Sequence, residues 1–172
     1  DAVNFTHALF HYKKKTKDWY DITYWSNILN IDIAKEKEKK MNMDKISLKD
    51  GSLDILDKLK AQGKKLFLIT NAHRITLNIK LKKFDISKYF DEMICSHELG
   101  YIKEDIQFWH VLRLKLKLDY KYSVLVEDTF DNINSAHHAG LNNFVYISGN
   151  KKFTSPLSPL IVKSFSELSS SI

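Results

Sequence analysis

The chain has 172 residues, of which 44% are hydrophobic, 12% aromatic and 28% charged, the composition of an ordinary globular protein rather than a disordered one. Five glycines, two prolines and a single cysteine exclude a collagen-like repeat and a disulfide framework, and the apolar runs are too short to cross a bilayer, so a cytoplasmic location is expected. The 27 basic against 21 acidic side chains leave a net charge of +6, which suits an anionic partner such as a phosphate ester or a nucleic acid without choosing between them.

The first residue is Asp1, and the opening carries acidic, polar and bulky aromatic residues rather than a basic segment followed by an apolar run. No secretory leader is read there, and a missing upstream segment is expected. Residues 2–43 have helical spacing. Phe5, Leu9 and Tyr12 share one face, and Ile22, Trp25 and Leu29 repeat the pattern. Asp18 is the expected N-cap between these helices. Residues 32–43 are mostly Lys and Glu, a solvated outer face, and residues 42–50 read as a linker.

After Gly51 the texture alternates between helix and strand. Ser52 is the expected cap of a helix carrying Leu53, Leu56 and Leu59, and Gly63 stands where a helix end favours a left-handed residue. Residues 66–69 are apolar on both faces, as in a buried parallel strand. A helix over 72–84, a strand over 93–95, a helix opened by Asp105, a strand over 123–126, a helix over 129–139 and a strand over 144–147 follow. The pattern predicts an α/β layer with a mostly parallel sheet. The Ser- and Pro-containing tail after Gly149 gives no clear pattern. The expected domains are a partial helical cap over 1–47, an α/β core over 48–150 and a tail over 151–172.

Parallel sheets bind ligands beyond the carboxyl ends of their strands, so the residues after each apolar run are the candidates for chemistry. Thr70 and Asn71 follow the first run, Ser96 and His97 the second, Glu127 and Asp128 the third, and Ser148 and Gly149 the fourth. Adjacent carboxylates repel one another, and a hard cation such as magnesium or a cationic side chain compensates them. Lys103, before the Asp105 helix, offers an ammonium. Thr70 offers a hydroxyl, and Asn71 a backbone donor at a helix entrance. Hydroxyl, amide, ammonium and acidic pair together suit phosphoryl transfer. Cys95, His97, His73 and His110 match no zinc spacing, so they are read as a buried thiol and ordinary histidines. His137 and His138, adjacent on a helix, diverge.

These motifs resemble the haloacid dehalogenase (HAD) superfamily of aspartate-nucleophile phosphatases. LFLITN at 66–71 resembles its second motif, SHELGYIKED at 96–105 its third, with Lys103 as the motif lysine, and VLVEDTFDNINSAHHAG at 124–140 its fourth. YDITYWSNILNIDI at 20–33, TNAH at 70–73 and GYIKEDIQFWHV at 100–111 are similar to the bacterial GMP/IMP nucleotidases of that superfamily. The resemblance implies a Rossmann-like parallel sheet with helices on both faces and a helical cap inserted after the first core strand. It also implies a magnesium-dependent phosphomonoesterase acting on purine 5′-nucleotides. In the family an aspartate attacks phosphorus and a second aspartate two residues on serves as acid and base. By motif match Thr70 and Asn71 hold the phosphoryl oxygens, Lys103 neutralises nucleophile and phosphate, and Asp128 with Glu127 holds Mg2+.

The sequence departs from this pattern at its start. No Asp-x-Asp precedes Thr70, and Asn30, Ile31, Asp32 lacks the leading carboxylate. The family's central first strand, which lies between the strands ending at Thr70 and Val126, is therefore absent, and so is the nucleophile. The 172 residues alone are expected to be inactive and unstable, as a truncated enzyme or a degenerate homologue. In the fourth motif Glu127 replaces the usual Gly or Asp, and Asp131 is displaced from the usual spacing, which leaves metal ligation divided among Glu127, Asp128 and Asp131. Which of Tyr20, Tyr24 and Trp25 faces the site stays open. The rival function is a basic nucleic-acid-binding module built on Lys13 to Lys15, Lys17 and the lysines of 35–40, although Glu36 and Glu38 dilute the second cluster. A dehalogenase or a phosphosugar mutase would use a similar core.

Overall fold

A computed structural model describes residues 2–149, 157 and 159–172. Asp1 and most of the Ser- and Pro-containing stretch of the tail (150–156 and 158) lie outside the described residues. Helices α1 (Ala2–Lys13), α2 (Lys17–Tyr20), α3 (Ile22–Leu29), α4 (Ile33–Glu38) and α5 (Lys40–Met43) make up the N-terminal helical segment, the part expected to be a cap and called the cap below. Its centre is aromatic. The Phe10 ring lies 5.6 Å from those of Trp19 and Trp25, and the Trp25 indole donates to the Trp19 carbonyl at 3.1 Å. Asp21, not Asp18, caps α3, accepting from the Thr23 amide at 2.7 Å. The Asp18 carboxylate instead takes the Lys13 ammonium at 2.5 Å. The expected helix over 32–43 breaks at Lys39, whose extended ψ separates α4 from α5.

The core alternates as expected: α6 (Ser52–Ala61), β1 (Phe67–Thr70), α7 (Arg74–Lys83), β2 (Glu92–Cys95), α8 (Ile106–Leu116), β3 (Leu125–Glu127), α9 (Phe130–His138) and β4 (Phe144–Ile147). The tail, which the sequence left unread, adds β5 (Leu160–Val162) and α10 (Phe165–Ser170). Gly51, at φ +76°, occupies the N-cap position of α6, while the Ser52 hydroxyl turns back to donate to the Lys49 carbonyl. Ser52 therefore opens the helix without capping it. Gly63 at φ +70° follows α6 as expected.

All strand pairings are parallel. β1 pairs with β2, and β3, β4 and β5 pair in that order. Helices cover both faces of β4. Phe144 and Tyr146 pack with Phe108, Trp109, Leu112 and Ile133, while Val145 joins Ile55, Val162 and Leu168. This alternation is the period of two along a strand, and burying each of the larger side chains contributes roughly 1.5–3 kcal/mol. Among the described residues no ladder joins β1 to β3. The consequence is visible in burial. All four residues of β1 are only half-buried, where its sequence predicts full burial, and Val126 of β3 is 39% exposed.

Candidate phosphate site

The polar residues after β1 and β3 are joined through one loop. Thr70 ends β1, and its hydroxyl accepts from the Ala72 amide at 3.0 Å, shaping the turn into α7. Asn71 is buried and held at both ends of its side chain. Its Oδ1 accepts from the Lys103 backbone amide at 2.9 Å, and its Nδ2 donates to Glu104 at 2.7 Å. Next to it, His73 caps α7 through Nδ1.

The Lys103 loop is held by local hydrogen bonds. Asp105 stands at the N-cap position of α8, but its carboxylate accepts from the Ile102 amide at 3.2 Å. The indole of Trp109, which is almost wholly buried, donates to the Lys103 carbonyl at 2.7 Å. With its backbone fixed, Lys103 reaches across to β3, where its ammonium donates to Glu127 Oε2 at 2.5 Å. Lys103 thus ties the end of β1 to the end of β3, although no strand ladder connects them.

The acidic pair divides into two environments. Glu127 is buried. Beyond its bond to Lys103, its Oε1 accepts from the amides of Asp128 and Thr129, each at 3.1 Å. Asp128 is exposed, and its Oδ1 accepts only weakly from the Thr129 hydroxyl at 3.4 Å. Three of the roughly four lone-pair positions on Glu127 are therefore used, whereas Asp128 is open. The third acid, Asp131, pairs with Lys15 of the cap.

The cap meets this site at several points. The Tyr20 hydroxyl donates to Glu104 Oε1 at 2.5 Å, and burial together with this carboxylate holds its pKa well above the usual phenol value. Of the three cap aromatics left open by the sequence, Tyr20 is therefore the one bonded to the lysine loop. A cleft of about 600 Å³ lies beside Glu104, bordered also by Lys15, Asp131, Ser135 and His138. Neither Glu104 nor the cleft was identified from sequence, because Glu104 reads as one more charge in a Lys-Glu-Asp run. Farther from the lysine, the rings of His73 and His97 stack at 4.2 Å. Burial first and His73 second hold the His97 pKa below its usual value. Cys95 is wholly buried, which pushes its thiol up to about 11.

Several lysines proposed for nucleic-acid binding are engaged within the chain. Lys13 pairs with Asp18 and lies 5.0 Å from the Tyr24 ring centre, Lys15 pairs with Asp131, and Lys39 pairs with Glu36. Among the described residues, no helix is long and apolar enough to cross a membrane.

The sequence profile of the haloacid dehalogenase-like hydrolases matches residues 7–146. The GMP/IMP nucleotidases YrfG of Escherichia coli (strain K12) and Shigella flexneri are each 28% identical over 141 residues, covering 82% of this chain and 63% of the relative. The chain thus spans less than two thirds of the length of the curated relatives it matches. A HAD phosphatase from Thermococcus onnurineus superposes with a TM-score of 0.80 at 19% identity, over 94% of this chain and 74% of that one. The HAD-hydrolase YfnB from Bacillus subtilis, solved bound to magnesium, gives 0.69 at 19% identity, over 92% and 74%. At such identities the solved structures speak for the fold.

Proposed function

The chain belongs to the haloacid dehalogenase-like hydrolase family, and on that premise we propose that it is the larger part of a magnesium-dependent phosphomonoesterase. The substrate class is purine 5′-nucleotides, GMP and IMP among them, after the relatives named GMP/IMP nucleotidase. The observation that carries the reading is the Lys103 bridge between Asn71 and Glu127, which joins the ends of two strands around one cationic group. Nucleophile and acid–base aspartates would come from an Asp-x-Asp strand outside these 172 residues, between β1 and β3, where no ladder exists among the described residues.

In this reading the phosphoryl oxygens accept from the Thr70 hydroxyl and the Asn71 backbone amide, and the Lys103 ammonium stabilises the charge gathered on nucleophile and phosphate. Donors fixed before the reaction cost no reorganisation as that charge shifts, which is the main way proteins accelerate phosphoryl transfer. The phosphoryl group would leave the nucleoside 5′-oxygen, which departs as the alcohol with a proton from the acid–base aspartate, and form an aspartyl-phosphate; water, giving its proton back to that aspartate, would then hydrolyse it to inorganic phosphate.

The acidic pair fits Mg2+, an ion that keeps several waters and needs only one or two carboxylates besides the phosphate. Asp128 is the open ligand, and Glu127 has a lone pair left beside its three donors. When bound, the ion would offset phosphate charge and orient it for attack. The test is phosphate release from IMP, GMP, pyrimidine nucleotides and sugar phosphates, with and without magnesium, by the protein with its upstream coding sequence restored. Magnesium-dependent turnover of IMP and GMP, lost in Lys103→Ala and in Asp128→Ala, is the expected result. Full activity in both variants refutes these roles, and preference for a sugar phosphate refutes the nucleotide assignment.

A further inference from the structure

The proposed site makes use of Thr70, Asn71, Lys103 and the acidic pair, but not of Glu104. That residue is the only one seen to bond both the cap and the buried Asn71 side chain among the described residues. Its two carboxylate oxygens have different partners. Oε1 accepts from Tyr20 of the cap at 2.5 Å, and Oε2 accepts from Asn71 at 2.7 Å. The other end of the Asn71 amide accepts from the Lys103 backbone at 2.9 Å, and Lys103 continues to Glu127. An unbroken path of four hydrogen bonds therefore leads from the cap to the end of β3.

From this path we infer that Glu104 is a positioning residue, through which seating of the cap fixes the Asn71 side chain and with it the Lys103 loop. The inference rests on the phosphatase reading only for its consequence, a site organised when the cap is docked. A carboxylate held by two donors on opposite sides has a defined orientation, and a hydrogen bond to a charged group is stronger than a neutral one. Without the Tyr20 donor the carboxylate can rotate toward solvent in the adjoining cleft, and the Asn71 amide then loses its fixed acceptor. Other contacts from the cap, Lys15 with Asp131, Glu38 with Lys82 and the Met43 carbonyl with Lys83, bypass Asn71, and the first of them is half-exposed. They can hold the cap but cannot orient the amide.

The experiment uses the protein with its upstream coding sequence and reads two signals by NMR: exchange of the Lys103 backbone amide and the resonance of the Asn71 side-chain amide. Tyr20→Phe removes one hydroxyl on the cap, which neighbours the Asn71 side chain as well as Glu104 but is not bonded to the Lys103 backbone amide, so the Lys103 amide is the reporter that decides. The substitution should speed Lys103 exchange about five- to tenfold, the size expected for weakening one hydrogen bond, and shift the Asn71 resonance. In a Glu104→Gln background, where the acceptor pair is already broken, Tyr20→Phe should add little.

Unchanged Lys103 exchange in Tyr20→Phe would overturn the inference. So would an equal effect from Lys15→Met, because general loosening of the cap would then suffice, or a full-size effect of Tyr20→Phe in the Glu104→Gln background. Phosphate release from GMP by the parent protein is scored separately. The enzymatic reading and the coupling can therefore fail independently.

Discussion

Lys103→Met is the substitution whose cost the geometry defines best. The change keeps the length and apolar stem of the side chain and removes its charge. Glu127 then stays behind with a side chain only 5% exposed and without the ammonium that lay 2.5 Å away. Removing one partner of a buried ion pair costs about 3–5 kcal/mol, because the remaining charge is desolvated without compensation. The Asp128 and Thr129 amides still donate to Glu127, which brings the expectation to the lower end, about 3 kcal/mol. That is a large share of a total stability of about 5–15 kcal/mol. With a urea dependence of about 2 kcal/mol per molar, the unfolding midpoint should fall by about 1.5 M. The assay is urea unfolding, followed by circular dichroism, of the chain with the proposed first strand supplied. Adding Glu127→Gln to Lys103→Met should recover part of the loss, since a neutral amide is cheaper to bury than an unpaired carboxylate. An unchanged midpoint in Lys103→Met, or a double variant as unstable as the two losses added together, would refute the argument that this pair links the two halves of the sheet.

Three further outcomes follow from the same structure. Gly51→Ala should destabilise the fold by at least about 2 kcal/mol, measured by the same urea titration, because the residue sits at φ +76° and a Cβ would lie 2.2 Å from the Ser166 backbone nitrogen. The bidentate Arg74 contact, with a further bond from the Cys95 amide, holds the Glu98 carboxyl below its usual pKa. A lowered folded-state pKa gives stability that is present above the unfolded value of about 4.3 and lost as pH falls through the folded one. The stability difference between parent and Glu98→Gln should accordingly be full at neutral pH and shrink in acid, and a difference independent of pH would contradict it. The 172 residues expressed alone should aggregate or melt without cooperativity, because β1 and β3 each have one edge without a ladder among the described residues. A sharp calorimetric transition would show that the core is complete without another strand.

How much of this was legible in the sequence depended on whether local chemistry or distant packing decided each feature. The strand Phe144–Ile147 was read with its observed bounds because a short apolar run between turn residues has little else to become. Asp18 and Asp21 offer the same capping chemistry, and sequence could not see that Lys13 engages the first and leaves the second for Thr23. At Ser52 a good capping side chain was outweighed by Gly51, which adopts the left-handed backbone the junction with α10 requires. β5 and α10 were missed because three apolar residues and a Ser-rich helix carry little pattern of their own, and their contacts are with β4 and α6. Thr70, Asn71, Lys103, Glu127 and Asp128 stand out in the sequence as one candidate group because strand ends of a parallel sheet gather on one side, and hydrogen bonds join Asn71, Lys103 and Glu127 among them. The partition within the acidic pair, one carboxylate buried against Lys103 and the other exposed, was not readable, since it depends on the reach of a side chain from another loop. For the same reason neither Tyr20 nor Glu104 could be assigned before the cap and core were seen together.

A crystal structure of the chain with the proposed first strand supplied, grown with magnesium and inorganic phosphate, decides whether Thr70, Asn71, Lys103 and Asp128 share one site. One anion bonded to the Thr70 hydroxyl, the Asn71 amide and the Lys103 ammonium, with the metal on Asp128, is the expected result. An anion bound elsewhere, with Thr70, Lys103 and Asp128 facing separate regions of solvent, would contradict it.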